Sequence, residues 1–176
     1  KHGNRAATSK SGSADLLEAL GIKIDLTGAE VEQTVHKIGI GFCFAPIFHS
    51  SMKHAAVARK ELGMPTVFNI LGPLANPAKP IACAIGVARA ELLPLMAQVL
   101  LDQGKEGFVF RGDDGLDEVS LSTTTQVIQI SNGELTQSVC NPEDLGIASA
   151  PITALAGGDA AYNAQMTMKI FAGEKG

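Results

Sequence analysis

Apolar residues recur along the chain at two spacings, and their alternation predicts helices interleaved with strands. Val31, Val35 and Ile38 keep the helical period after Thr27-Gly28-Ala29-Glu30, a capping box, and Gly39 supplies the stop. Asp15-Leu16-Leu17-Glu18 opens a shorter helix, which Gly21 ends because glycine accepts a left-handed conformation. Ile40 to Pro46 reads as a buried strand. Ser51 to Leu62 reads as a helix with Met52, Ala55, Ala56 or Ala58, and Leu62 inward, Lys53, Lys60 and Glu61 outward, and Gly63 closing it.

Ile81 to Val87 is an apolar run between turn residues, and Leu92, Leu95, Met96, Val99 and Leu100 form the stripe of a helix within Glu91 to Gln103. Gly107 to Phe110 is strand again, so strand, helix and strand imply a parallel crossover. Thr124 to Ile130 and Glu134 to Val139 flank Asn132-Gly133, a pair that supplies the positive φ angles of a tight hairpin turn. Asp159 caps a last helix through about Phe171. The expected fold is α/β, a central mixed and mainly parallel sheet flanked by helices, with an antiparallel hairpin. Without repeats, low-complexity tracts or a linker, residues 1–176 read as a single domain.

Composition narrows the function. A 45% hydrophobic, 18% charged chain of 176 residues has the balance of a globular domain with a core. A formal net charge of -4 argues against partners recognised through a broad basic field, so neither nucleic acid nor an anionic membrane is expected. Cys43, Cys83 and Cys140 show neither a disulfide framework nor a zinc spacing; Cys43 and Cys83 read as core residues, and a reducing cytoplasm is the simpler setting. The apolar runs Phe42 to Phe48 and Ile81 to Ala88 fall short of the roughly 18 to 20 residues of a membrane span, and no signal peptide precedes them.

The basic residues cluster once, where Lys1, Arg5 and Lys10 lie among small polar residues ahead of the first helix. Glycines at 3 and 12, hydroxyls, a mobile lysine charge, a planar arginine fork and a helix start together suit a phosphate group. A solvated, frayed terminus has the same composition, and composition does not choose between them. A second concentration of charge, Asp113-Asp114-Gly115-Leu116-Asp117-Glu118, follows the strand Gly107 to Phe110, where open α/β sheets bind ligands. Turn chemistry alone would make it a solvated turn.

Lys1-His2-Gly3-Asn4-Arg5 followed by Ser9-Lys10-Ser11-Gly12-Ser13-Ala14-Asp15 resembles the signature of anthranilate phosphoribosyltransferases, enzymes of tryptophan biosynthesis. The resemblance extends through Phe44-Ala45-Pro46, His49, Met52-Lys53-His54, Arg59-Lys60-Glu61-Leu62-Gly63, Phe68 to Pro77 and Asp114-Gly115-Leu116-Asp117-Glu118. It implies the larger α/β domain of such an enzyme, which otherwise carries a small helical N-terminal domain. Lys1, His2, Gly3, Asn4, Arg5, Ala6, Ala7, Thr8, Ser9 and Ser13 would then contact 5-phosphoribosyl 1-diphosphate. Asn4 and Arg59 would meet anthranilate, and Asp117 and Glu118 would bind Mg2+, with Asp113 and Asp114 left as surface residues. His49 and His54 would wall the anthranilate channel, with Ser50 standing where similar enzymes usually have proline, and His36 would be structural.

The activity implied is transfer of the phosphoribosyl group to anthranilate, with no protein nucleophile or base, by a parent that is a homodimer. Similar enzymes also carry a Gly-Thr-Gly-Gly-Asp loop and an Asn-x-Ser-Thr segment, and neither occurs here. The expectation is therefore a fragment trimmed at both ends, with little turnover of its own and with Lys1 to about Lys10 mobile. A pyrimidine nucleoside phosphorylase is the related alternative, but its lysine-serine-glycine-arginine pattern is missing. A non-catalytic, nucleic-acid-binding homologue is opposed by the acidic charge.

Overall fold

The computed structural model describes residues 1–6, 9–52, 54, 58, 61–63 and 66–174. They form two compact units, 1–78 with 157–176, and 79–156.

In the first unit His2–Gly3 (β1) pairs in parallel with Cys43–Phe44 (β2), in the register His2 to Cys43 and Gly3 to Phe44. The pairing ties down the chain start, which the sequence reading expected to be mobile. The Lys1 terminal amine donates to the Gly41 carbonyl at 2.9 Å, and the Cys43 amide donates to the Lys1 carbonyl at 2.8 Å. Ala14, Ile24 and Phe42 are buried together, with Leu17 and Phe44 packed against them. That small apolar cluster holds the first helix, Ser13–Ala19, behind the β1 strand.

The helix begins ahead of the expected Asp15. Gly12 is its N-cap and Asp15 its third residue, so the Asp15 carboxylate reaches back to the Gly12 amide instead of standing at the cap. The helix Gly28–Ile38 matches expectation. Thr27 Oγ1 accepts from the Glu30 amide, Glu30 Oε2 accepts from the Thr27 amide at 2.8 Å, and Gly39 ends the helix with φ +80°.

Ile40 to Pro46 is not one strand: Ile40 is 67% exposed, and Ala45–Phe48 is a single helical turn. Pro46 explains the change, because its fixed φ suits a first helical turn and its missing N–H cannot serve a ladder. Ser50–Met52 is a 3-10 turn, and helix is present at His54, Ala58, Glu61 and Leu62. Ala58 and Leu62, read as inward, are exposed. Met52 is half-buried, Glu61 is exposed and Gly63 has φ +60°, as expected, whereas the expectations for Lys53, Ala55, Ala56, Arg59 and Lys60 fall on residues outside those described. Val67–Leu74 is a further helix that hydrophobic spacing did not reveal, since Gly72 and Pro73 mask its last turn. Asp159 caps Ala160–Phe171 as expected, accepting from the Tyr162 amide at 2.9 Å.

The second unit carries the expected crossover. Ala82–Gly86 (β3) runs parallel to Glu106–Gly112 (β4) through the helix Leu92–Asp102, and Thr125–Ser131 (β5) and Glu134–Cys140 (β6) extend the sheet antiparallel in the order β3-β4-β5-β6. Met96, Ala97 and Leu100 on the helix and Val109, Ile128 and Ile130 on the strands are buried, which forms the core of this unit. At Gly107, φ is +124° and a Cβ would lie 1.9 Å from the Cys83 carbonyl oxygen, so β3 and β4 approach this closely only because the side chain is absent. The hairpin turn has positive φ at both Asn132 and Gly133, as the sequence demands.

Leu100→Ala empties a fully buried position in this core, and urea unfolding should show a loss of about 2–5 kcal/mol. A loss under about 1 kcal/mol would mean that the helix is not seated on the sheet as described.

Candidate functional site

Residues 1–6 and 9–13 gather around Asp15. Asp15 Oδ2 accepts from the amides of Ala6 at 2.8 Å and Gly12 at 2.9 Å, and Oδ1 accepts from Arg5 Nη1 at 3.0 Å. Arg5 also forks onto Glu18, through Nη1 at 2.7 Å and Nη2 at 3.1 Å, while its guanidinium carbon stands 5.6 Å from the centroid of the Phe44 ring. The Asn4 carbonyl accepts from the Ala14 amide at 3.2 Å and from Ser13 Oγ at 3.4 Å. Ser9 Oγ donates to the Ser11 carbonyl at 3.2 Å.

These bonds set the local charges. The Ala6 and Gly12 amides, then Arg5, hold the Asp15 carboxyl below the ordinary carboxylate range, and the Arg5 fork does the same for Glu18. Hydrogen bonds from Arg5 to Glu18 and Asp15 push the Arg5 guanidinium further towards its charged form. The helix Ser13–Ala19 has only seven residues, and its Gly12 and Ala14 amides are already taken by Asp15 and Asn4. Lys1, Arg5 and Lys10 are all exposed, Arg5 within its ion pairs with Asp15 and Glu18.

His2 and His49 meet edge to face, with ring centroids 5.0 Å apart and planes at 67°. The Nε2 atom of each is buried and has no hydrogen-bond partner among the described residues. Burial first, then the neighbouring His49, lowers the His2 pKa from its ordinary 6.5, against an opposing contribution from the Gly72 backbone. His54 is exposed on its helix, and His36 is exposed at 3.7 Å from Glu32. Arg59, Ala7 and Thr8 lie outside the described residues.

The acidic loop belongs to the second unit. Asp113, exposed as expected from sequence, and the half-buried Asp114 brace the loop through side-chain hydrogen bonds. Asp114 Oδ2 accepts from Ser120 Oγ and Ser122 Oγ, both at 2.5 Å, and Oδ1 accepts from the Leu116 amide at 3.1 Å. The two serine hydroxyls hold the Asp114 carboxyl below its ordinary range. Asp113 accepts from Thr124 Oγ1 at 2.5 Å and from Gln126 Nε2 at 3.0 Å. Ser120 and Thr125 are fully buried and bonded to each other through the Ser120 amide and Thr125 Oγ1.

Asp117 and Glu118 are exposed at the crest of this loop. The Asp117 carbonyl presses on Gly86, where a Cβ would come within 1.6 Å of its oxygen, so the loop lies against the last residue of β3. That is the carboxyl end of the parallel pair, the usual ligand edge of such sheets. Two adjacent carboxylates of hard oxygen character fit magnesium, which takes one or two protein carboxylates and completes its shell with water and phosphate. No cluster of three or more metal-ligating side chains occurs among the described residues. No helix among them is long and apolar enough to cross a membrane.

Sequence reasoning missed three elements of these loops. Asp15 and Glu18 were visible only as a helix-start signal, and the Ser120 and Ser122 partners of Asp114 looked like ordinary hydroxyls. Their pairing is set by the way each loop turns, which residue spacing does not encode.

Residues 1–176 match the family model described as glycosyl transferase family, a/b domain. Anthranilate phosphoribosyltransferase of Rhodococcus jostii (strain RHA1) is 53% identical over all 176 residues, which amount to 49% of that protein. The structure superposes on anthranilate phosphoribosyltransferase from Thermus thermophilus with a TM-score of 0.92 and 44% identity, covering 100% of this chain and 52% of that one. With the enzyme from Saccharomyces cerevisiae in complex with PRPP and Mg the TM-score is 0.88 at 34% identity, covering 96% of this chain and 47% of that one. The chain thus spans about half the length of the relatives it matches.

Because the folded His2 holds its proton less tightly than the unfolded chain does, acid favours unfolding. Its contribution to stability is intact above pH 6.5, declines as pH falls below that value, and levels off beneath the lowered folded pKa. Melting curves between pH 7 and pH 5 should show this decline, reduced in His2→Asn; an identical decline in the variant would remove His2 as its source.

Proposed function

We propose, given that this chain belongs to the glycosyl transferase family through its a/b domain, that the protein transfers the phosphoribosyl group of 5-phosphoribosyl 1-diphosphate to anthranilate. The observation that carries the reading is the match over the whole chain to anthranilate phosphoribosyltransferase of Rhodococcus jostii, together with the match over 96% of it to a solved structure that holds PRPP and Mg. The products are N-(5-phosphoribosyl)anthranilate and diphosphate.

In this reaction the anthranilate amino nitrogen forms a bond to the anomeric carbon as the bond from that carbon to diphosphate oxygen breaks. An aromatic amine is neutral near pH 7 and already nucleophilic, so the protein needs no activated nucleophile. Its work is alignment and the stabilisation of charge on the leaving diphosphate. The segment Lys1 to Ser9, with Ser13, is the part of this chain assigned to the diphosphate and ribose. Asn4 and Arg59 are assigned to anthranilate, Arg59 as a planar fork for its carboxylate. His2 and His49 meet edge to face, with Nε2 atoms that have no hydrogen-bond partner among the described residues, and give the reading an aromatic wall.

Asp117 and Glu118 would hold the magnesium, which neutralises diphosphate charge when bound. Asp114 braces the loop that carries them, accepting from Ser120, Ser122 and the Leu116 amide.

Anthranilate- and 5-phosphoribosyl 1-diphosphate-dependent release of diphosphate by the full-length protein tests the activity, and its absence with both substrates present would end this reading. Arg59→Ala should raise the KM for anthranilate by about tenfold or more while changing that for the diphosphate substrate little, and equal losses would count against a carboxylate partner. Replacing both Asp117 and Glu118 by alanine should remove the magnesium dependence of diphosphate binding, a result that calorimetry with and without the metal reads directly; an unchanged dependence would refute the metal role.

A further inference from the structure

Arg5 lies in the middle of the loop assigned above to the diphosphate, and its guanidinium, although 45% exposed, is already committed to protein partners. Its fork is occupied by Glu18 and Asp15, and its flat face lies over Phe44. One cation set between two carboxylates leaves the cluster with an excess of negative charge, a poor receptor for an anion. Lys1 and Lys10 are exposed as well, without the carboxylate partners that Arg5 has. We infer that Asp15 is the positioning residue of the Lys1–Ser9 loop and that Arg5 serves the ligand only through Asp15 and Glu18; this rests on the diphosphate role proposed for the loop.

Three observations carry the inference. First, the Asp15 carboxylate collects donors from three separate points of one loop, the Arg5 side chain and the Ala6 and Gly12 amides, and so staples its outgoing limb to its returning limb. Second, the limbs are in contact there. A Cβ on Gly12 would stand 2.4 Å from the Ala6 nitrogen and 2.7 Å from the Arg5 carbonyl carbon, which leaves no room for a phosphate between them.

Third, the same cluster is anchored to the strand pair. Phe44, under the guanidinium, is the β2 residue in register with Gly3 of β1, and a Cβ on Gly3 would meet Ser13 Oγ at 2.3 Å. The side chains of Arg5, Asp15 and Glu18 thus connect β1, the loop and the helix Ser13–Ala19 into one shape. The ligand meets the outer surface of that shape.

The two roles for Arg5 predict opposite signs. If Arg5 were a phosphate ligand restrained by its acidic neighbours, Asp15→Asn would free it, remove a negative charge beside the anion, and tighten binding. If Asp15 positions the loop, the same change loosens it and weakens binding. Calorimetric titration of the full-length protein with 5-phosphoribosyl 1-diphosphate and Mg2+, with melting curves to confirm folding, reads the sign. We expect Asp15→Asn to raise Kd on the order of tenfold, and Arg5→Gln to do the same. The double variant should be no worse than either single one, because both act through one contact set. Arg5→Lys should fail to restore binding, since a point charge does not reproduce a fork across two carboxylates.

Should Asp15→Asn not fold, Glu18→Gln, which alters the half-exposed end of the fork, carries the same expectation of weaker binding. Tighter or unchanged binding in either variant, additive losses in the double variant, or rescue by Arg5→Lys would overturn the inference while leaving the activity assigned above intact. Failure of the unmodified protein to bind 5-phosphoribosyl 1-diphosphate would instead remove the functional reading, and the inference with it.

Discussion

A chain that turns back on itself within a dozen residues leaves backbone N–H groups pointing into the turn, and each must find an acceptor or pay for its desolvation. Both candidate loops meet this constraint with a single aspartate. Asp15 takes the Ala6 and Gly12 amides in one, and Asp114 takes the Leu116 amide and two serine hydroxyls in the other. A carboxylate suits the task because it offers two oxygens and no donor of its own. Each aspartate is drawn into its loop, and the residues assigned to ligands stay outward around it. The charged side chains that hold the shape are Arg5, Asp15 and Glu18 in one loop and Asp113 and Asp114 in the other, whereas Asp117 and Glu118 stand exposed beside them.

The supports behind the loops differ in kind. Behind the N-terminal loop lies a cluster of Ala14, Ile24 and Phe42 with a two-residue strand pair, a small apolar area. Behind the acidic loop lies a four-stranded sheet covered by Leu92–Asp102, and Met96, Leu100, Val109 and Ile130 are almost wholly buried between them. The first loop consequently relies on polar contacts for its shape, and the second inherits rigidity from β3 and β4. Local stability follows buried apolar contact, so the first is the part more readily opened.

Sequence legibility tracks how locally each feature is determined. The crossover helix and the Asn132-Gly133 hairpin were readable because their periodicity and turn residues lie within the elements themselves. Ile40 to Pro46 was over-read as a strand because apolar character does not separate strand from helix over a short run, and Pro46 settles the matter for helix. Val67–Leu74 was hidden by Gly72 and Pro73. Site identities came from ordered motifs, whereas the pairing of Arg5 depends on Glu18, thirteen positions away, and on Phe44 from another strand. No local pattern encodes such a meeting.

The hairpin has a kinetic corollary. The β5–β6 ladder, turned at Asn132-Gly133, joins neighbours in sequence, and such ribbons form in roughly 1–10 μs. The β3–β4 pairing instead joins Ala82 to Glu106 and waits on the intervening helix, so its closure entropy must be met before any ladder bond offsets it. During folding, the ribbon can offer β5 as a ready edge on which β4 docks, and β3 then completes the sheet from the far side. The ledge that carries Asp117 and Glu118 rests on Gly86, at the end of that last strand, so it acquires its final form late in folding.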